Sequence, residues 1–174
     1  MTNTTSETVQ LILAGRPIHM LDYPQVAMEI AMIAHEGQVD KAGKPYIDHV
    51  ARVVEMIRPW IRSFYLKDRH EALAAAWLHD VVEDTDVDVM QIAHAFPGLV
   101  AVTVDVLTRR EGEVYADYIL RIARSTTLAA QIIKRADLYD NRFRGTLPAS
   151  MEMRYDRALA ILNKATEGKE VWHV

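Results

Sequence analysis

The sequence predicts an all-α domain. Apolar residues recur at the three- and four-residue spacing of a buried helix face through most of the chain, whereas strand-like alternation between turn signals is nearly absent. Prolines and glycines then fall between the periodic runs and divide the chain into about seven to nine helices.

The first helix is predicted over about residues 23–35, with Val26, Ile30 and Ile33 on one face and Gly37 as its stop. A loop over 38–45 follows. Pro45 suits the opening of a second helix through Tyr46, Val50, Val53 and Ile57, which Pro59 ends or bends near Trp60. A third helix starts near Asp68 and runs through Leu73, Ala76, Trp77 and Val81. Its small residues at 74–76 allow a neighbouring helix to come close, so it is expected to be central. Shorter helices are expected over 87–96 and 99–107, separated at Pro97 and Gly98, and another over 113–124. Thr126 or Thr127 is the candidate cap of the next, which runs through Ile132 and Ala136 towards Arg144. Residues 145–148 break the pattern before a last amphipathic helix over about 150–166. No internal repeat or low-complexity segment is present.

A chain of 174 residues, half of them hydrophobic and a quarter charged, is the size of one ordinary globular domain. Its net charge of -4 does not provide the clustered basic face of a protein that binds nucleic-acid polymers. The absence of cysteine excludes disulfides, a thiolate nucleophile and thiolate metal ligands, so any metal must be held by histidine and carboxylates. No apolar run approaches the ~20 residues of a membrane span, and the start of the chain lacks the pattern of a signal peptide. The expected compartment is the cytoplasm, with no membrane partner.

The strongest chemical signal is His79-Asp80 followed by Glu83-Asp84-Thr85, polar residues at the end of an apolar helix. Buried without partners, such groups cost several kcal/mol, and a metal ion supplies a partner. A set of imidazoles and carboxylates suits Mn, Fe or Zn better than Mg. Taken alone, the same residues also read as a helix-end pair followed by a solvated acidic turn. Two further segments bear on the choice: Pro45-Tyr46-Ile47-Asp48-His49 upstream, and Lys134-Arg135-Ala136-Asp137-Leu138-Tyr139-Asp140-Asn141 downstream. Asp137 and Asp140 lie three apart on one helix face, and spacing alone does not choose between them.

Together with Ala34-His35-Glu36-Gly37-Gln38 and Lys41-Ala42-Gly43-Lys44, these segments resemble the HD phosphohydrolase superfamily. Within it, the resemblance is to the hydrolase domain of the RelA/SpoT family and its small single-domain alarmone hydrolases. It runs from about Tyr23 to Arg142. It implies a compact HD domain over 23–168, with residues 1–22 as an N-terminal extension and 169–174 as a C-terminal tail. By the same resemblance, His49, His79, Asp80 and Asp137 are the metal ligands and the metal is manganese. Glu83 and Asp84 lie three and four residues after Asp80, within one turn of it on a continuing helix, and the resemblance gives them the attacking water. Lys41 is expected to face the nucleotide, Tyr46 to pack on its sugar or base, and Asn141 to meet ribose or phosphate. His35, at the end of an apolar face, reads as a structural histidine. Lys134 and Arg142 are further phosphate candidates, although such residues on an exposed helix are usually solvated.

The implied substrate is a small anionic nucleotide, and the implied reaction removes pyrophosphate from the 3′ position of guanosine tetra- or pentaphosphate. The chain is too short for the synthetase domain of the long relatives, so degradation without synthesis is expected. Two alternatives are a hydrolase of the same type acting on another nucleotide or phosphoester, and a non-catalytic nucleotide-binding module. A homo-oligomer is a further expectation, with Trp172 as a residue that docks on the body or a second subunit. Two positions depart from the family pattern: Asp40 stands where an arginine commonly precedes the lysine, and Ala42 where a serine follows it. An aspartate there cannot stack on guanine as a cation, which predicts weaker guanine selectivity and a gain of preference in Asp40→Arg.

Overall fold

A computed structural model describes Val9 and residues 18–40 and 42–167. Lys41, Trp172 and the C-terminal tail lie outside the described residues, as does most of the N-terminal extension. Val9, within that extension, is fully buried against the core.

Among the described residues from 18 onward, a 3₁₀ turn at Met20–Asp22 is followed by nine α-helices: α1 (Tyr23–Ala34), α2 (Tyr46–Trp60), α3 (Leu66–Trp77), the single-turn α4 (Val81–Asp84), α5 (Val89–Ala95), α6 (Gly98–Leu107), α7 (Tyr115–Arg124), α8 (Leu128–Phe143) and α9 (Ala149–Thr166). The all-α expectation holds, and the described residues contain no strand beyond one isolated bridge between Val39 and Pro45. Proline sets several boundaries. Pro45, Pro97 and Pro148 occupy the N-cap positions of α2, α6 and α9 in extended conformation, each forcing a sharp entry into its helix. Asp88 and Gln91 form a reciprocal capping box on α5, which moves its start to Val89.

Three boundaries differ from the periodicity. α3 stops at Trp77, and residues 78–80 make a turn before α4, so the helix does not run through Val81. α7 begins at Tyr115, because the Glu113 carboxylate accepts from the Arg110 N–H at 3.0 Å and is clamped by Nε and Nη2 of Arg121, each at 2.8 Å. Thr127 does sit at the N-cap of α8, but its side chain makes no capping bond.

α3 packs on α1, α2 and α6 through the buried Ala72, Ala74, Ala75 and Ala76, as its small side chains suggested. α8 is also central: ten of its sixteen residues are buried, and it touches α2, α6, α7 and α9. Gln131, fully buried on α8, fixes this helix against the end of α7. Its side-chain amide donates to the carbonyls of Ser125 at 2.9 Å and Ala123 at 3.1 Å. Arg142, expected as a phosphate contact or a solvated charge, instead joins α8 to α9 through Asp156 at 2.9 Å and Glu152 at 3.2 Å.

Gln131→Ala removes the donor from these partly buried carbonyls, at a cost of about 1 kcal/mol or more. The urea midpoint should fall with little change in the slope of the transition. A midpoint equal to wild type would show that α8 is held without this bond.

Candidate metal centre

α2 begins at Tyr46 because Pro45 initiates it, and this places His49 in the first turn with only 1 % of its surface exposed. His79 and Asp80 occupy the turn after α3. On a continuous helix two successive side chains diverge by about 100°. The turn instead brings His79 Nε2 within 2.9 Å of Asp80 Oδ2. Asp137 comes from the buried face of α8, and its Oδ1 lies 3.2 Å from His49 Nε2. His49 Nε2 also lies 3.8 Å from Asp80 Oδ2. Ligand atoms of His49, His79 and Asp80 all fall within 4.8 Å of one another, and Asp137 joins the group through His49.

These groups suit a divalent cation. Both Nε2 atoms are buried, and neither makes an aligned hydrogen bond despite the short distances to carboxylate oxygens. The opposite ring nitrogens explain why. His79 Nδ1 donates to the Ala76 carbonyl at 2.9 Å, and His49 Nδ1 meets the Asp140 carboxylate at 2.6 Å. A carbonyl or carboxylate oxygen only accepts, so each Nδ1 carries the proton and each neutral ring presents a lone pair at Nε2. Separations near 3 Å are those of neighbouring ligand atoms on a single ion with bonds of about 2.1 Å. Without a cation, burial would lower the His49 pKa, but Asp137, Asp140 and Asp80 hold it up at about 9. Burial likewise opposes ionisation of Asp137, and Lys134 and the two imidazoles overcome it and hold the carboxyl well below its usual range.

Glu83 and Asp84 lie on the one-turn α4 directly after Asp80. The Glu83 carboxylate accepts from the Arg109 N–H at 3.0 Å. Burial raises the pKa of both groups, aided for Asp84 by the neighbouring Asp80 carboxylate; a bound cation would act in the opposite direction. Both are thus available to hold or move a proton beside the centre.

Tyr46 and Asn141 also line the centre but are already engaged. The Tyr46 hydroxyl donates to Asp80 Oδ2 at 2.6 Å, and its ring packs between His35 and His49. Asn141 Nδ2 donates to Asp137 Oδ1 at 2.5 Å. Each therefore orients a carboxylate of the centre. A cleft of about 190 Å³ lies beside Asn141 and is lined by Arg144, Thr146 and Tyr155.

Asp40 is not the free charge that the sequence suggested. Its carboxylate, 2 % exposed, accepts from the Ala42 N–H at 2.6 Å and the Lys44 N–H at 3.1 Å, and lies 3.1 Å from Arg144. It closes the 38–45 loop from within, with Gly43 in the left-handed region at φ 75°.

Sequence reasoning overlooked the outer ring of this centre. Asp140, the rival of Asp137, grips Arg52 with both oxygens at 2.7 and 3.1 Å and holds His49 from behind. Arg144 reaches both Asp40 and, at 3.6 Å, Asp140. Lys134 is not a solvated charge: its Nζ lies 2.7 Å from Asp137 Oδ2 and 5.0 Å from the centre of the Tyr118 ring. The recurrence of charged or amide side chains at 134, 137, 140–141 and 144 is the signal that marked this face of α8.

Among proteins of known role, the chain is similar over 121 residues, at 36 % identity, to a guanosine-3′,5′-bis(diphosphate) 3′-pyrophosphohydrolase of Haemophilus influenzae, and over 143 residues, at 31 %, to one of Aquifex aeolicus. These matches cover 64 % and 78 % of this chain but only 17 % and 19 % of the relatives, so the chain spans about a fifth of their length. A solved structure of a metazoan ortholog of SpoT that hydrolyses ppGpp superposes with a TM-score of 0.67 at 23 % identity, covering 84 % of this chain and 86 % of that one; at this identity it shows a shared fold. The family model described as HD domain matches residues 27–132, a span that contains His49, His79 and Asp80 and ends before Asp137. With that match across most of the chain and an all-helical fold of the same form, the chain belongs to the HD domain family.

Proposed function

We propose that the protein is a metal-dependent phosphohydrolase that removes pyrophosphate from the 3′ position of guanosine tetra- or pentaphosphate, with manganese as the metal. The observation that carries this reading is the pair of buried imidazole lone pairs beside the buried Asp137 and the partly buried Asp80 carboxylates, a donor set that fits a divalent transition ion. The named activity of the partial-length relatives supports the choice of substrate. His49, His79, Asp80 and Asp137 would hold the metal. When bound, a divalent ion would supply Lewis-acid polarisation of a phosphoryl oxygen and lower the pKa of its water towards about 7.

The chain's own residues supply the rest. Tyr46 and Asn141 fix the orientation of Asp80 and Asp137, while Glu83 or Asp84 accepts the proton of the attacking water. The cleft beside Asn141 offers a guanidinium, a hydroxyl and a phenol to a phosphorylated sugar. Lys41, in the loop that Asp40 closes, is the proposed phosphate partner, and the surrounding backbone bonds hold that loop to the mouth of α2.

Purified protein supplied with manganese should retain the metal stoichiometrically by elemental analysis and release pyrophosphate from guanosine tetraphosphate in a panel of nucleotides. Turnover confined to another nucleotide would keep the hydrolase and change the substrate; binding without turnover of any would leave a non-catalytic module. His79→Ala and Asp137→Ala should each lose the metal and, with it, the metal-dependent rise in melting temperature. Wild-type metal content in the His79 variant would remove that residue from the ligand set.

Glu83→Gln preserves an acceptor for the Arg109 N–H, so metal content and fold should persist while kcat falls by about 100-fold or more. Near-normal kcat would return Glu83 to a structural role. The interior position of Asp40 reverses the expectation for Asp40→Arg. The substitution should loosen the loop and lower kcat/KM for guanosine and adenosine 3′-pyrophosphates together, without a gain of guanine preference. A selective gain for guanine would show that this side chain does face the base.

A further inference from the structure

The segment Ala34 to Gln38 supplies none of the proposed ligands, yet it is tied to the centre: the His35 ring packs on Tyr46, and Gln38 bonds to the turns on either side. We infer that His35 and Gln38 form a positioning relay that fixes the Asp84 turn over the metal centre, a role that rests on the proposed hydrolysis for its catalytic consequence. His35 is 3 % exposed at the end of α1, and its Nδ1 lies 2.9 Å from Gln38 Oε1. Gln38 Nε2 donates to the Asp84 carbonyl at 3.1 Å. The Gln38 backbone carbonyl accepts from the Tyr46 N–H at 2.9 Å, at the first residue of the helix that carries His49. One residue thus joins the end of α1, the mouth of α2 and the end of α4.

The bonding directions follow from chemistry. The Asp84 carbonyl can only accept, so the NH₂ group of Gln38 must face it and the amide oxygen must face His35. His35 Nδ1 therefore carries the proton. The opposite amide orientation would set an oxygen against the Asp84 carbonyl. Gly37, at φ 76°, lets the chain turn sharply enough for Gln38 to fold back under the N–H of Tyr46. The relay acts on the main chain of Asp84, so it sets where that carboxylate stands without touching the proposed ligands. A small displacement of a group that handles the water's proton is costly in rate and leaves binding largely unchanged.

The relay is tested on the full chain, loaded with manganese, by amide hydrogen exchange and steady-state kinetics together. In Gln38→Ala, peptides covering 81–87 should exchange about fivefold faster or more, the effect of losing one hydrogen bond, while those covering 128–143 stay at the wild-type rate. The kcat should fall about 10- to 100-fold with KM and metal content near wild type. His35→Asn keeps an N–H for Gln38 and should retain most of the activity that His35→Ala loses. If Gln38→Ala does not fold, Gln38→Glu serves instead. It keeps the shape and the acceptor for His35 but turns an oxygen towards Asp84, and it should give the same local loosening. Unchanged exchange at 81–87, or equal loosening of 128–143, overturns the relay. A wild type that turns over no nucleotide, with exchange responding as described, would instead overturn the proposed hydrolysis and leave the relay standing.

Discussion

The structure depends on one electrostatic constraint: two buried imidazoles, the buried Asp137 carboxylate and the partly buried Asp80 carboxylate are held together among apolar helices. Asp80 and Asp137 each bring a negative charge out of water, at several kcal/mol per ion when uncompensated. Lys134 meets one of them, at 2.7 Å from Asp137. The two histidines, each with its proton held at Nδ1, contribute lone pairs and no charge while neutral. A divalent cation would satisfy the remaining negative charge and the convergent lone pairs together, and no arrangement of neutral side chains would do both.

The surroundings of the centre serve to keep this arrangement rigid. α8 contributes most of them from a single face. Lys134 and Asn141, three residues before and four after Asp137, grip its two oxygens, while Asp140 supports His49 and lies close to Arg144 in turn. Helical spacing makes this economical, since residues three and four apart stand above one another. Tyr46 does the same for Asp80 from α2. Every group of the proposed ligand set therefore has a second contact that fixes its direction, which is the condition for binding a metal without reorganisation.

The 38–45 loop shows how an unusual residue acquires a different meaning in three dimensions. By charge alone, Asp40 repels an anionic substrate. In the folded chain its carboxylate is spent on two backbone N–H groups and Arg144, and its charge is directed into the protein. The loop gains a fixed shape from the same interaction, and Arg144 carries that fixation towards the partner of His49. Loop order and ligand orientation are thus parts of one network.

The all-helical class, the approximate helix boundaries and the segments carrying His49, His79-Asp80 and Asp137 were legible in the sequence, because local periodicity, proline placement and polar residues in apolar runs are all properties of neighbouring residues. The break of α3 at Trp77 was not. The run through Val81 is periodic enough for a continuous helix, yet in the fold a turn at 78–80 brings His79 and Asp80 together beside α2 and α8. Spacing likewise left Asp137 and Asp140 equivalent. In the fold, one carboxylate faces the Nε2 side of His49 and the other its Nδ1 side, which separates a candidate ligand from a support. The sequence by itself determined which residue types were available for metal chemistry and on which helices they lie. Tertiary structure alone decided the direction each side chain faces, because that direction is set by contacts such as Asp40 with Arg144, or Gln38 with Asp84, between residues 46 to 104 positions apart in the chain.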